Sequence, residues 1–143
     1  MLQAYPVVFR VDRNGTTIAE VPDVPGTMTV GGDRTEAQER VRGALVLMLS
    51  AMMEDREPIP RPSKPKRGQR VVALPPLVAA KLSIYQAMQE RGITQVELAR
   101  RLGCDDRQVR RLLDLEHRSR LDQIEEALHV LGKRLILDIE NAA

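Results

Sequence analysis

The chain has 143 residues and is 43% hydrophobic, which is enough for one ordinary domain or two small ones and excludes a chain that is disordered throughout. Its 22 Lys and Arg nearly balance its 20 Asp and Glu, so the net charge of +2 does not by itself indicate a nucleic-acid partner. The single cysteine excludes an intramolecular disulfide, and the mid-chain apolar run 44–53 is too short to span a bilayer. With no signal sequence at its start, the chain is expected in the cytoplasm and not at a membrane.

The first 30 residues carry the pattern of an antiparallel sheet. Alternating apolar residues over 7–11 predict a strand with one buried face, and residues 17–21 form the return strand. Between them, Asn14-Gly15 predicts a two-residue hairpin turn of type I′, because both residues tolerate the positive φ that this turn requires. Residues 27–30 are short and β-prone, and they complete a sheet of three strands.

A long amphipathic helix is predicted next. Thr35 and Gln38 have the spacing of a capping box, in which each side chain bonds to the backbone N–H of the other residue at a helix start. Apolar residues then recur at helical spacing from Ala37 to Met52, which gives the helix a stripe suited to packing on one face of the sheet. The methionines of this stripe are interpreted as core residues and not as part of a cofactor site.

A proline-rich connector follows the helix. Four prolines within residues 57–66 exclude a helix there and predict an extended segment. The β-branched start of residues 71–74 predicts a fourth strand that returns to the sheet, and Pro75-Pro76 ends it. We therefore expect a partner-binding α/β domain over residues 1–76, which includes the connector, and a second domain over residues 77–143.

The second domain is predicted to begin with two helices. Apolar residues repeat at helical spacing from Val78 to Met88, and Gly92 ends the first helix in a left-handed conformation. Thr94 and Glu97 form a second capping box at the start of the next helix, which Gly103 ends.

Two more helices and a strand complete the predicted fold. Residues 105–113 form a short helix with an aspartate at its N-terminus, where a carboxylate favours both capping and the helix dipole. Ser119 and Asp122 open the last helix, which ends at Gly132. Alternating leucines and isoleucine over 135–139 predict a final short strand, so the expected class is α+β.

The basic character of the second domain is concentrated around the third of these helices. Residues 100–120 hold seven arginines against four acidic residues, a local excess that attracts phosphate. The apolar residues of helix 105–113 share an inward face, and the outward face is polar. That face consists of Arg107, Gln108, Arg110 and Arg111. Because Arg can bind guanine and Gln can bind adenine in the major groove, this face is chemically able to read base edges.

Further candidate DNA contacts flank this helix. Gln95, at a helix start, and Arg118 and Ser119, beyond the helix, are placed to contact phosphates. Asp105 and Asp106 would repel phosphates, so one of them is expected to be the helix cap, and Asp106 could instead accept from cytosine N4. The alternative is that the arginines of this region are solvated surface residues paired with neighbouring carboxylates.

Two sets of residues resemble known families. Residues 94–103 followed by 106–113 resemble the Cro/repressor-type helix-turn-helix. The other set resembles HicB-type antitoxins and consists of Tyr5–Arg10, Val21–Gly26, Gly32-Asp33 and Glu57–Ser63. This second resemblance implies a partial RNase H-like fold in the first domain. It also implies an antitoxin that binds and neutralises a small HicA-type, mRNA-cleaving toxin and represses its own operon by binding operator DNA.

The sequence does not show which residues would touch such a toxin. Acidic residues of the first domain could meet a basic RNA-binding surface, although solvated loop charges explain them equally well. These candidates are Glu20, Asp23, Asp33 and Glu54. The alternative function is a stand-alone helix-turn-helix transcriptional regulator with an N-terminal ligand- or protein-sensing module.

Catalysis, a metal site and a cofactor are not expected. A nuclease would need clustered carboxylates, and the only plausible set is Asp12, Glu20 and Asp23, of which turn chemistry already explains two. His117 and His129 have no partners at metal-ligand spacing.

A homodimer or higher oligomer is expected. A single helix-turn-helix buries too little surface for tight operator recognition, so dimers would read paired half-sites. The predicted strand 135–139 could pair between subunits.

Overall fold

The computed structural model describes residues 4–142 and has an α+β architecture, with small antiparallel sheets and five helices in that part of the chain. The chain divides into two compact units, the first ending at Ala79 and the second beginning at Ala80. The boundary lies within helix α2 (Pro76–Arg91).

The first unit contains all the strands that the structure describes. They are β1 (Ala4–Pro6), β2 (Val8–Val11), β3 (Thr17–Glu20), β4 (Met28–Gly31) and β5 (Val71–Ala73). β2, β3 and β4 form a three-stranded antiparallel sheet in that order. β5 forms a separate antiparallel ladder with β1, in which Tyr5 is opposite Val72. The antiparallel sheet is confirmed, but the fourth predicted strand pairs with β1 instead of joining the three-stranded sheet.

The hairpin between β2 and β3 differs from the predicted type I′ turn. The N–H of Asp12 donates to Thr16 O (2.8 Å) and that of Gly15 donates to Asp12 O (3.0 Å), so three residues form the loop. In this loop Gly15 alone has a positive φ, at 85°. The Asn14 side chain accepts from the N–H and the hydroxyl of Thr16, a local arrangement that does not require a left-handed Asn14. The predicted two-residue type I′ turn is therefore wrong, and the loop has three residues.

Helix α1 (Arg34–Glu54) packs on β3 and β4 through its buried residues Ala37, Val41, Leu45 and Leu49. Its N-terminus is capped by the side chains of Asp33 and Glu36 and not, as predicted, by a capping box of Thr35 and Gln38. Asp33 Oδ1 accepts from Glu36 N (2.8 Å), and Glu36 Oε2 accepts from Gly32 N (2.8 Å). Asp33 and Glu36 have the same spacing as the predicted pair, and their carboxylates interact more favourably with the positive end of the helix.

The proline-rich connector is attached to the first unit. Ile59 is buried, and the hydroxyl of Tyr5 donates to Pro60 O (2.7 Å). Burial, with a smaller contribution from Asp23, raises the pKa of Tyr5 to about 12. The N–H of Ser63 donates to Asp23 Oδ2 (2.6 Å). These bonds hold an extended segment in place without secondary structure of its own.

The second unit consists of short helices. After α2 these are α3 (Gln95–Leu102), α4 (Asp106–Leu113) and α5 (Leu121–Val130). The start of α5 was predicted at Ser119, but its N-cap is Arg120, which makes no side-chain capping bond. The predicted final strand is not present in the structure of the single chain, so this prediction is wrong there. Residues 133–142 form no strand because no other strand in the described part of the chain pairs with them. Ile139 in this segment is 89% exposed.

Candidate nucleic-acid interface and partner-binding residues

Local capping determines where α3 and α4 begin and end. Thr94 Oγ1 accepts from Glu97 N (3.1 Å) at the start of α3, and Gly103 ends that helix with a left-handed φ of 67°. Asp105 Oδ1 accepts from Gln108 N (2.9 Å), so Asp105 is the aspartate that caps α4. Asp106 is the first residue of that helix and is exposed. Two short helices joined by a tight turn therefore follow from three local signals, which are the Thr94 cap, the left-handed Gly103 and the Asp105 cap.

The packing of α4 separates an apolar face from a basic one. Val109 and Leu112 are fully buried, whereas Arg107, Arg110 and Arg111 are exposed. Gln108 is half-buried. Among residues 4–142, no carboxylate forms an ion pair with any of these three arginines. Their guanidinium groups are thus available to acceptors outside the chain.

The arginines of α3 have a different environment. Arg100 Nη2 lies 2.6 Å from Glu97 Oε1, and Arg101 Nε lies 2.9 Å from the same oxygen. Hydrogen bonds from Arg100 and then Arg101 lower the pKa of Glu97 to about 2. Surface ion pairing, the alternative considered for the basic region, therefore describes these two arginines. Gln95 is exposed at the first position of α3.

A cleft of about 270 Å³ lies between the end of α4 and the start of α5. Its lining includes four of the predicted DNA-binding residues, which are Gln108, Arg111, Arg118 and Ser119. It also includes Leu112 and three polar residues that were not predicted as DNA contacts, His117, Arg120 and Gln123. Arg120 pairs with Asp122 at the start of α5. The run His-Arg-Ser-Arg over 117–120 is the signal that could have identified the basic loop.

A buried lysine lies behind this loop. Lys81, on α2, is 0% exposed, and its Nζ donates to Arg111 O (2.7 Å), Asp114 O (2.7 Å) and Ser119 Oγ (2.9 Å). Burial lowers its pKa to about 8, an effect that the charge of Asp114 partly offsets. Lys81 was not predicted as a functional residue, although it lies three residues after Val78 and therefore within the apolar stripe of its helix.

The four acidic candidates for partner binding have different roles. Asp23 accepts from the backbone of Ser63, and Asp33 caps α1, so both carboxylates already have structural functions. Glu20 is half-buried in β3, and Glu54 is exposed at the last position of α1. Asp33 and Glu54 lie at opposite ends of a 21-residue helix, roughly 30 Å apart at 1.5 Å per residue, so the four do not form one patch.

The residues considered for metal chemistry are dispersed. Asp12 Oδ1 accepts from Arg13 N in the β2–β3 loop. Within residues 4–142, His, Cys, Asp and Glu form no group of three or more that could hold a metal ion. Among the helices described, none has the length and apolar character needed to cross a membrane.

Comparison with known proteins identifies the family. Residues 4–83 match the family described as HicB_like antitoxin of bacterial toxin-antitoxin system. The chain is 37% identical over 133 residues to Antitoxin HicB 2 of Photorhabdus laumondii subsp. laumondii, which covers 93% of this chain and 94% of that protein. It is 34% identical to Antitoxin HicB of Escherichia coli, in a match that covers 93% of this chain and 96% of that protein. It is also 34% identical to Antitoxin HicB of Pseudomonas fluorescens, in a match that covers 90% of this chain and 88% of that protein. The chain therefore belongs to the HicB-like family of antitoxins.

Proposed function

We propose that this antitoxin neutralises a small HicA-type, mRNA-cleaving toxin and binds operator DNA to repress its own operon, acting in the cytoplasm and without catalytic activity. The proposal is supported by relatives named as antitoxins that match nearly the whole chain. Because those relatives carry that name, a stand-alone regulator is not favoured.

The DNA-binding proposal rests on α3, α4 and their turn, which we interpret as a Cro/repressor-type helix-turn-helix with α4 as the recognition helix. The observation that carries it is the exposed row of Arg107, Arg110 and Arg111, for which the described chain supplies no carboxylate partner. In a major groove these side chains would bind guanine, and Gln108 would bind adenine. The exposed carboxylate of Asp106 would accept from cytosine N4.

Phosphate contacts are proposed on both sides of the recognition helix. Arg118 and Arg120 line the cleft after α4 and would bind one backbone segment. Gln95 would bind another with its side chain and the free N–H groups at the start of α3. Ser119 would contribute indirectly, because its Oγ already accepts from Lys81 and lies 3.2 Å from His117 Nδ1.

A homodimer is proposed to bring two recognition helices to half-sites about 34 Å apart. Segment 133–142 is β-prone and exposed, and it has no strand partner within the described chain. Pairing of this segment with its copy in a second chain would satisfy its backbone and cover Leu137 and Ile139. Replacing Leu137 with Asp is expected to produce monomers, which light scattering at fixed concentration would detect.

The first unit is proposed to bind the toxin, and its helix-backed sheet to be a partial RNase H-like fold. In the register of the sheet, Glu20 lies between Val8 and Met28, both of which are exposed. This row is on the face of β3 opposite buried Ala19. Glu20 would meet a basic toxin surface there, while its apolar neighbours are covered.

Operator binding can be tested with one variant and a matched control. Arg110→Ala removes an exposed arginine of α4 and is expected to cost about 1–3 kcal/mol at the specific site if it reads guanine. Arg42→Ala removes an exposed arginine of α1, so it corrects for the loss of one positive charge. Equal operator affinities of the two variants, measured by fluorescence anisotropy at fixed salt, would contradict the proposed recognition helix.

Toxin binding is tested by copurification from the native operon. The Glu20→Lys chain is expected to retain less of its small basic partner than a Glu39→Lys chain, in which the exposed charge lies on α1. Recovery of the antitoxin without any partner from cells that express the whole operon would remove the toxin proposal.

A further inference from the structure

The buried ammonium of Lys81 has one acceptor for each of its three N–H groups. Two acceptors are backbone carbonyls at the end of α4, those of Arg111 and Asp114, and the third is Ser119 Oγ. Carbonyls in the last turn of a helix have no partner within that helix and carry its partial negative charge. Lys81 therefore acts as a cap for α4 that is supplied by another helix.

The same ammonium also holds the loop that follows α4. Ser119 Oγ accepts from Lys81 and lies 3.3 Å from Arg111 O and 3.2 Å from His117 Nδ1. The loop residues Arg118 and Arg120 line the basic cleft next to this network. A single buried charge thus joins the end of the arginine-bearing helix to the arginine-bearing loop.

We propose that Lys81 is a positioning residue for DNA binding, whose charged form holds α4 and the loop of residues 117–120 in the arrangement that contacts the duplex. This inference rests on the proposed operator binding. Lys81 does not touch DNA itself, because it is fully buried. A neutral amine has only two N–H groups for three acceptors, so loss of the proton removes one of the three bonds by which Lys81 joins α4 to the loop.

The proposal makes operator binding depend on pH. In the free chain the pKa of Lys81 is about 8, and bound phosphates near the cleft would raise it, because an anion favours the charged amine. The bound state then holds the proton more tightly. Operator affinity is highest below pH 8 and falls as the pH rises above 8. The total fall is about tenfold for each unit by which DNA binding raises the pKa of Lys81.

The ionisable residues that face the Lys81 network are Asp114, His117 and Arg111. Among the residues described, Asp114 is the one charged group that shifts the pKa of Lys81, and it favours the charged amine. His117 is linked to this network through Ser119, whose Oγ lies 3.2 Å from His117 Nδ1. Arg111 offers its carbonyl to Lys81, while its own side chain is exposed.

The test measures operator affinity of the full-length chain by fluorescence anisotropy between pH 6.5 and 9 at constant ionic strength. The wild type is expected to lose affinity above pH 8. Lys81→Met is expected to bind about tenfold more weakly at pH 7 and to show a flat profile over 7–9. Lys64→Met is the matched control, because it removes an exposed lysine from the connector of the first unit, outside the proposed DNA-binding residues, and should keep the wild-type profile.

The results of this experiment distinguish the positioning role of Lys81 from the proposed operator binding on which it rests. A wild-type affinity that is constant over pH 7–9, or a Lys81→Met profile that coincides with that of Lys64→Met, would overturn the positioning role and leave operator binding intact. Absence of operator binding by the wild type at every pH would overturn both. If Lys81→Met does not fold, the wild-type profile decides, and Ser119→Ala supplies the second variant because it keeps the charge and removes one acceptor.

Discussion

Replacing Gly31 with Ala provides a sharp test of how the sheet meets α1. Gly31 is buried at the end of β4, and a Cβ placed on it would lie 2.5 Å from Ala37 N, 2.9 Å from Ala37 Cα and 3.0 Å from Glu36 C. All three atoms belong to the backbone of the first turns of α1, which cannot move aside as a flexible side chain would. The added methyl group must therefore separate β4 from the helix.

The magnitude follows from the cost of overpacking, which is about 1–3 kcal/mol for an added carbon in a tightly packed interior. For a unit of this size, each kcal/mol lowers the thermal midpoint by roughly 4–8 °C. Gly43→Ala is the matched control, because it adds the same methyl group within α1 at a position with no atom within 4 Å. That variant is expected to gain roughly 0.5–1 kcal/mol, since alanine favours a helix interior.

Thermal unfolding followed by circular dichroism and calorimetry would measure both variants under the same conditions. The two midpoints should move in opposite directions. If Gly31→Ala unfolded at or above the wild-type midpoint, the close approach of β4 and α1 would be refuted.

Three further predictions concern bonds described above. Tyr5→Phe removes the hydroxyl that donates to Pro60 O and should lower the free energy of unfolding by about 1 kcal/mol, measured with urea; an unchanged midpoint would show that the connector is held by other contacts. Asp105→Ala should cost about 1 kcal/mol through loss of the α4 cap, whereas Asp106→Ala should not, and equal losses would contradict the cap assignment. The pKa of Glu97 is depressed to about 2, so its stabilising effect is present above its ordinary pKa and is lost as pH falls toward 2. Glu97→Gln should therefore reduce the difference in thermal midpoint between pH 5 and pH 2, and an identical difference in both proteins would argue against the ion pairs.

Much of the fold was predictable because its signals are local. The apolar stripe of α1, the left-handed Gly92 and Gly103, and the capping pair of Thr94 with Glu97 N each depend on residues a few positions apart. The wrong predictions lie where one short segment can form either of two local hydrogen-bonding arrangements. At the β2–β3 loop, the Asn14 side chain bonded to Thr16 and removed the need for a type I′ turn.

The features that sequence could not supply depend on distant residues. The pairing of β5 with β1 joins positions almost 70 residues apart, and nothing in residues 71–74 identifies that partner. The cleft needs the end of α4 and the start of α5 together, so Gln123 could not be selected from its surroundings in the sequence. Residues 135–139 have the alternating apolar pattern of a strand but do not form one. A strand also requires a neighbouring strand, and the sequence pattern does not show whether one is present.

The β1–β5 ladder has a consequence for synthesis on the ribosome. Ala4 pairs with Ala73, so β1 has no partner until the end of the first unit has emerged from the ribosome. Contacts between such distant positions form slowly because a large loop must close first. The β2–β4 meander and α1 can assemble as they leave the tunnel, whereas the N-terminal strand must wait while the ribosome already translates the helices of the second unit.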